Sequence, residues 1–219
     1  MIEAILPEWV AAVESRQDCA EDQLFPAERE VIANAVSKRR AEFNTVRACA
    51  RAALHELGIA PAPILPGQRG APQWPPGVVG SMTHCDGYRA AAVCHDRRAV
   101  SIGLDAEPHA PLPDGVLGIV ARTEEREHLA ALAQRDSRLH WDRLLFTMKE
   151  SVYKAWFPLT QLWLDFQQAS VRIEPSTGHF VAALLVPGPV VAGVELAEFH
   201  GRFLVEDDLA LSAIVLPAR

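Results

Sequence analysis

The chain has 219 residues, 49% of them hydrophobic and 22% charged, with a formal net charge of −7. That is apolar material enough for one domain or two small halves with a real core. It excludes a bilayer-spanning helix, since no run approaches ~20 apolar residues, and it argues against broad nucleic-acid affinity, which needs a basic face.

The opening segment, MIEAILPEWVAAVESR, has no basic residues ahead of its short apolar stretch and does not read as a signal peptide. Cys19, Cys49, Cys85 and Cys94 form no CxxC pair, and no His/Cys cluster has zinc spacing. Free thiols in a reducing cytoplasm are the expectation. Residues 27–57 are rich in helix formers and free of Gly and Pro, which predicts one long helix closed by Gly58 as its C-cap. Val31, Ile32, Ala35, Val36, Phe43, Val46 and Ala50 mark its core stripe, and Lys38, Arg39, Arg40, Arg47 and Arg51 crowd its middle. Residues 61–77 hold so many Pro and Gly that they read as a loop.

The period then changes. VVGSMTH (78–84), YRAAAVCH (88–95) and AVSIGLDAE (99–107) read as strands joined by hairpin turns at CDG and DRR. A loop over 108–115 precedes one or two helices over 116–134, with Thr123 as a cap, and another helix over 138–157. The last fifty or so residues read as strands: ASVRIE, HFVAALLV, ELAEFHGRFLVE and LALSAIVLP. Helix, strands, helices, strands predicts an α+β fold of two halves, 1–104 and 105–219.

On a wheel, Trp141, Leu145, Met148, Val152 and Ala155 share one face of the 138–157 helix. Arg143, Thr147, Glu150 and Lys154 share the opposite face, flanked by Phe146, Tyr153, Phe157 and Lys149. A Glu with a Lys four residues on is, taken alone, an ordinary surface ion pair worth ~0.3 kcal/mol. The strand SIGLDAE alters the balance. Val100, Ile102 and Leu104 alternate on one face, which leaves Asp105 and Glu107 side by side on the other, about 7 Å apart at Cα. Acids at a strand end are often just solvated. Two carboxylates projecting together are relieved by a shared cation, and hard oxygen ligands suit Mg²⁺. Glu150 would complete a metal set.

IGLDAE followed by FTMKESVYKAW resembles the 4′-phosphopantetheinyl transferase superfamily, and VGSMTHCDGYRAAAV resembles a further motif upstream. The resemblance runs from about residue 36 to the end, and the length matches the larger monomeric group, the surfactin- and enterobactin-synthase type. SKRRAEFNTVRACAR and WDRLLFTMKESVYKAWFPLT look like actinobacterial members serving siderophore, polyketide and lipid synthases. The resemblance implies a pseudo-two-fold monomer of two similar α+β halves, with the active site and a coenzyme A cleft between them. It implies transfer of 4′-phosphopantetheine from coenzyme A to a serine of apo acyl or peptidyl carrier proteins, with release of 3′,5′-ADP.

Carried over residue by residue, Asp105, Glu107 and Glu150 would bind Mg²⁺ (or Mn²⁺), and Glu150 would be the general base. Lys149 and Lys154 would contact phosphate oxygens, His84 with Thr83 beside it would hold the pyrophosphate, and Arg39 and Arg47 would hold the 3′-phosphate. Arg69 sits where the family often has a basic loop residue, and Pro66 stands where related sequences can carry a lysine. Each has an ordinary alternative. His84 reads equally as a structural histidine, Arg39 and Arg47 as a solvated helix face, and Arg47 and Arg51 as partners of one acidic neighbour. Trp74 and Tyr88 are candidates for an adenine pocket or for plain packing. Residues 116–135, with Arg122, Arg126 and Arg135, are the candidate docking patch for a carrier. The competing readings are an Mg²⁺-dependent nucleotide-diphosphate hydrolase using the same carboxylates and a non-catalytic coenzyme A or carrier-binding module.

Overall fold

The computed structural model describes residues 1–20 and 22–218. Two antiparallel sheets, each crossed by one 20-residue helix, form the two halves. The first sheet has the order β1-β3-β2, from β1 (Ala11–Ser15), β2 (Val78–Cys85) and β3 (Tyr88–His95). After α1 (Pro26–Val31), helix α2 (Ser37–Glu56) lies on that sheet and packs Cys49, Ala50, Ala53 and Leu54 against Val78, Ala91 and Val93.

The second sheet has the order β4-β10-β9-β6-β5. Its strands are β4 (Ala99–Pro108), β5 (Ala169–Glu174), β6 (His179–Leu184), β9 (Glu198–Glu206) and β10 (Leu209–Pro217). A small hairpin of β7 (Val190–Val191) and β8 (Val194–Glu195) hangs from it. Helices α3 (Val116–Val120) and α4 (Thr123–Arg135) precede α5 (Trp141–Thr160), which lies across the sheet. A core between the halves joins Tyr88, Ala90, Ala92 and Cys94 of β3 to Ile102, Leu104 and Ala106 of β4 and to Leu211 and Ala213 of β10.

The predicted single helix over 27–57 is two helices. In one straight helix Glu28 and Arg51 would stand about 35 Å apart. The bend at 32–36 folds α1 back, and Arg51 Nη1 reaches Glu28 Oε1 at 3.0 Å. The carbonyls of the bend are not orphaned, because Arg40 returns to donate to Ala33 and Ala35. Gly58 does close α2: with φ at +73° it sits in the left-handed region, and Ile59 N–H and Gly58 N–H bond the carbonyls of Leu54 and His55.

β2 and β3 form the expected hairpin across Asp86–Gly87, with Cys85 opposite Tyr88. β3 and β4 do not. β4 pairs with β10 instead, from Leu209–Pro108 to Pro217–Ala99. The passage from one half to the other therefore falls in the turn at 96–98, and a boundary at 104/105 would cut β4 in two. Val100 also leaves the face of Ile102 and Leu104, because the register with β10 slips between Leu216 and Pro217. It packs with the core under α5.

Thr123 is the first residue of α4 rather than its cap. Arg122 caps the helix, and its N–H is taken by the Glu125 carboxylate at 2.8 Å. α5 begins at Trp141 and runs three residues past the expected end, to a left-handed Gln161 whose N–H bonds Phe157 O. Pro158 lies inside the last turn, where it has no N–H to give to the carbonyl of Lys154. β1, too short to show a period in the sequence, completes the first sheet by pairing Ala11 with Val93.

Candidate active site

The site forms where β2 meets β4. The two edge strands run side by side in the same direction without a shared ladder. Side chains replace the backbone bonds: Leu104 N–H donates to Ser81 Oγ and Ala106 N–H to Thr83 Oγ1, both at 3.1 Å. α5 then closes onto β4 through small residues. A Cβ on Gly103 would come 1.9 Å from Ser151 O, so only glycine lets the helix this near. Ser101 Oγ donates to Ala155 O, and Ser212 Oγ donates to Thr147 O.

That close approach sets Lys154 over the end of β4. Its ammonium donates to Asp105 Oδ1 at 2.7 Å and to Leu104 O at 3.0 Å. Asp105 is 5% exposed, and its Oδ1 also accepts the Thr83 hydroxyl at 3.2 Å. Its Oδ2 is buried and has no hydrogen-bond partner. Burial pushes the Asp105 carboxyl up, against the pull of Lys154. Burial, then the Asp105 charge, does the same to Glu107. Glu150 is pushed up to about 6 by burial, then by Asp105, with Lys154 opposing and Glu107 adding. Glu107 is held elsewhere: its Oε2 accepts from Arg143 Nη1 at 3.0 Å, and Arg143 also ties down Ala110 O and Pro111 O.

The expected convergence of three carboxylates is not met. Among the described residues, no three His, Cys, Asp or Glu side chains stand in metal-holding geometry. Glu107 is occupied by Arg143. The groups that fit a hard divalent ion are the unpartnered Oδ2 of Asp105 and the carboxylate of Glu150. Mg²⁺ takes one or two protein carboxylates and fills its other positions with water and phosphate.

A cleft of about 720 Å³ opens beside Glu150 and Lys154. The first half lines it with the Gly67–Trp74 loop and Val78–Met82, and the second with Val100–Ile102, Glu150, Tyr153, Lys154 and Phe157. Arg69 is on this wall, with its guanidinium 5.1 Å from the Trp163 ring. Trp74 lines the cleft too, its indole N–H on Gly80 O, whereas Tyr88 is fully buried in the core. On the other side of Glu150 lies a smaller, largely apolar cavity of about 200 Å³, lined by Tyr153, Trp163, Leu164 and Phe166, with Lys149 and Asp165 also on its wall.

His84 and Arg39, expected on different phosphates, meet each other. Arg39 Nη1 lies 2.5 Å from His84 Nε2, and the Glu42 carboxylate lies 3.6 Å from each. Burial and then Arg39 pull the imidazole down to about 4. At neutral pH it is uncharged, with Nε2 accepting from Arg39 and Nδ1–H left to donate. It therefore offers a hydrogen bond rather than a positive charge.

Three residues expected to touch the ligand are engaged within the protein and do not line the 720 Å³ cleft. Lys149 is 3% exposed. Its ammonium donates to the carbonyls of Val120, Phe166 and Ala169 and pairs with Glu125 at 2.7 Å, so no proton is left for phosphate. Arg47 is 5% exposed, donates to Ile64 O, and lies 3.7 Å from Glu28; burial lowers it to about 10. The alternative that Arg47 and Arg51 share one acidic neighbour is what the structure shows, and Glu28 is that neighbour. Thr83 is 2% exposed, with its hydroxyl turned to Asp105 and Ala106. Of the docking candidates, Arg122 is held by Glu124 and by Gln167 O, and Arg126 reaches only to Thr123.

Arg143 was placed on the face of Glu150 without a role, and nothing in the sequence singled out Trp163, which lies beyond the helix end. Glu28 and Glu125 were passed over. Their sign was a glutamate three residues after a helix cap, each bonding the cap's N–H.

Residues 27–94 match the family model described as the 4′-phosphopantetheinyl transferase N-terminal domain, and residues 101–203 match that of the 4′-phosphopantetheinyl transferase superfamily. The gap between the two matches contains the 96–98 turn. The 4′-phosphopantetheinyl transferase Svp of Streptomyces mobaraensis is 55% identical over 221 residues, covering 100% of this chain and 90% of the relative. Npt of Nocardia iowensis is 51% identical over 222 residues, covering 98% and 99%. PptT of Mycobacterium tuberculosis is 49% identical over 196 residues, covering 88% and 86%.

Proposed function

The chain belongs to the 4′-phosphopantetheinyl transferase superfamily, and we propose that it works through Asp105, Glu150 and Lys154 at the junction of its halves. It is a transferase that moves 4′-phosphopantetheine from coenzyme A to carrier proteins. The observation that carries the residue assignment is the bare, buried Oδ2 of Asp105, whose other oxygen is held by Lys154, a residue that lines the cleft together with Glu150.

Coenzyme A lies in the 720 Å³ cleft with its diphosphate toward Lys154. The apolar cavity beyond Glu150 suits the thiol-bearing arm. Arg39 and the Nδ1–H of His84 take phosphate oxygens, and Arg69 takes the far end of the nucleotide. Asp105 Oδ2 and Glu150 would hold Mg²⁺, or Mn²⁺, with Glu107 kept in reserve by Arg143. A divalent ion there supplies neutralisation of the diphosphate charge. Glu150 takes the proton of the carrier serine, directly or through water. The serine oxygen bonds to the phosphorus that bears the pantetheine arm, and the bond from that phosphorus to 3′,5′-ADP breaks. In the ion-free site burial raises the Glu150 carboxyl to about 6, so it is ionised at neutral pH and free to accept a proton. A cytoplasmic monomer agrees with four free thiols and with the absence, among the described residues, of any helix long and apolar enough to cross a membrane.

Incubation with coenzyme A, Mg²⁺ and a panel of apo carrier proteins tests the proposal. The expected result is a carrier heavier by one phosphopantetheine group, lost in Glu150→Gln. Nucleotide release without a carrier would favour the hydrolase. Equal labelling by Glu150→Gln would remove Glu150 from the chemistry.

A further inference from the structure

Asp105 presents its two oxygens unequally, and the cause lies across the boundary between the halves. Oδ1 accepts from Lys154 at 2.7 Å and from Thr83 at 3.2 Å, while Oδ2 is buried and bare. Thr83 belongs to β2, in the first sheet. Its oxygen also accepts the backbone N–H of Ala106, the residue after Asp105. A hydroxyl has one proton and two acceptor positions. With the Ala106 N–H filling an acceptor position, the proton is free for Oδ1. One side chain thus clamps the strand and sets the rotation of the carboxylate, a torsion that is otherwise broad and roughly two-fold.

Ser81, two residues earlier on β2, supplies the internal comparison. It is 4% exposed and makes the same kind of clamp on β4, through Leu104 N–H, but its hydroxyl bonds no carboxylate among the described residues.

We propose that Thr83 is a positioning residue for the transfer reaction: its hydroxyl holds Asp105 so that Oδ2, and not Oδ1, faces the divalent ion. The proposal rests on the reading of Asp105 and Glu150 as the ion's protein ligands. It also makes docking of the halves and completion of the ion's ligand a single event, because β2 and Asp105 belong to different sheets.

The test is Mn²⁺ binding to the full chain, without coenzyme A, followed by the electron paramagnetic resonance signal of free Mn²⁺. Losing a partner that orients a metal ligand weakens affinity by roughly 10- to 100-fold, so Thr83→Val should bind at least about 10-fold more weakly, and Thr83→Ser and Ser81→Ala within about twofold of wild type. Ser81→Ala should still lower the melting temperature, since it loses its own clamp. Wild-type affinity in Thr83→Val overturns the proposal. So does a serine variant as weak as the valine one, or a loss in Ser81→Ala equal to that in Thr83→Val, since each leaves Thr83 a merely structural role. If Thr83→Val does not fold, Thr83→Ala against Thr83→Ser makes the same comparison. A wild type that binds no Mn²⁺ fails differently: it overturns the ligand reading of Asp105 and Glu150, and the role of Thr83 falls with it.

Discussion

Two buried charge clusters on the two long helices have nearly the same ingredients and opposite states of completion. At α2, Glu28 is fully buried and both its oxygens are used: Oε1 accepts from Arg51 and Ile64 N–H, and Oε2 from Arg51 and Phe25 N–H. At α5, Asp105 is almost as deeply buried, yet Oδ2 has no partner, and Glu150 beside it is pushed up to about 6. The first cluster is closed. It holds the α1–α2 bend and the start of the loop that walls the cleft. The second is open, and an open buried polar group costs stability that a fold bears for a purpose. The pair of Lys149 with Glu125, one residue from Glu150, is a second closed cluster. Charge alone does not mark the site; incomplete pairing does.

The sharpest way to break this contrast is to neutralise one member of each kind. Glu150→Gln should lower carrier labelling by roughly 10²–10⁴-fold, the range for a lost general base. Its melting temperature should not fall, because a disfavoured buried carboxylate has been removed. A drop in melting temperature with labelling intact would reverse the roles. Glu28→Ala and Lys149→Met should do the opposite. Each strands a buried partner and should cost about 3–5 kcal/mol in urea unfolding, while the folded fraction keeps wild-type turnover within a small factor.

The arginines of α2 sharpen the same point at a smaller scale. Arg39 reaches solvent and His84, so Arg39→Ala should raise the KM for coenzyme A about tenfold, the weight of one charge-assisted hydrogen bond, and leave unfolding unchanged. Arg47→Ala should lower stability first, and a pure KM effect there would place Arg47 on the ligand after all.

The smallest effect is a pH response. His84 is lowered to about 4. Between that value and its ordinary 6.5, the unfolded chain binds the proton more readily than the folded one. Stability is therefore retained above pH 6.5 and falls as pH drops toward 4. Nitrogen shifts of His84 should stay those of a neutral imidazole from pH 8 to 6. A midpoint near 6.5 would mean that the imidazole is not held by Arg39.

Much of the fold was legible because it rests on local signals: the stripe of α5, the Gly58 cap, the β2–β3 hairpin, and the alternation ending at Asp105. What was hidden depends on residues far apart in the chain. The bend between α1 and α2 exists for Glu28 and Arg51, 23 positions apart. Strand β4 looks like the third strand of a meander until β10, over a hundred residues later, takes its ladder. The site divides in the same way. Asp105 and Lys154 were placed by spacing on a strand and a helix, and they meet at 2.7 Å, while Glu150, one turn earlier on the helix, lines the cleft with Lys154. Lys149 was misread because spacing cannot show what lies beneath a helix, here three carbonyls from residues 120, 166 and 169.

The most direct measurement is a crystal of the chain with coenzyme A and Mn²⁺, with the ion located by its anomalous scattering. One ion should lie about 2.0–2.2 Å from Asp105 Oδ2 and from a Glu150 oxygen, and touch the diphosphate, as expected for a small hard cation. An ion bound away from Asp105, or a diphosphate gripped with Oδ2 still bare, would contradict the open cluster as the centre of the chemistry.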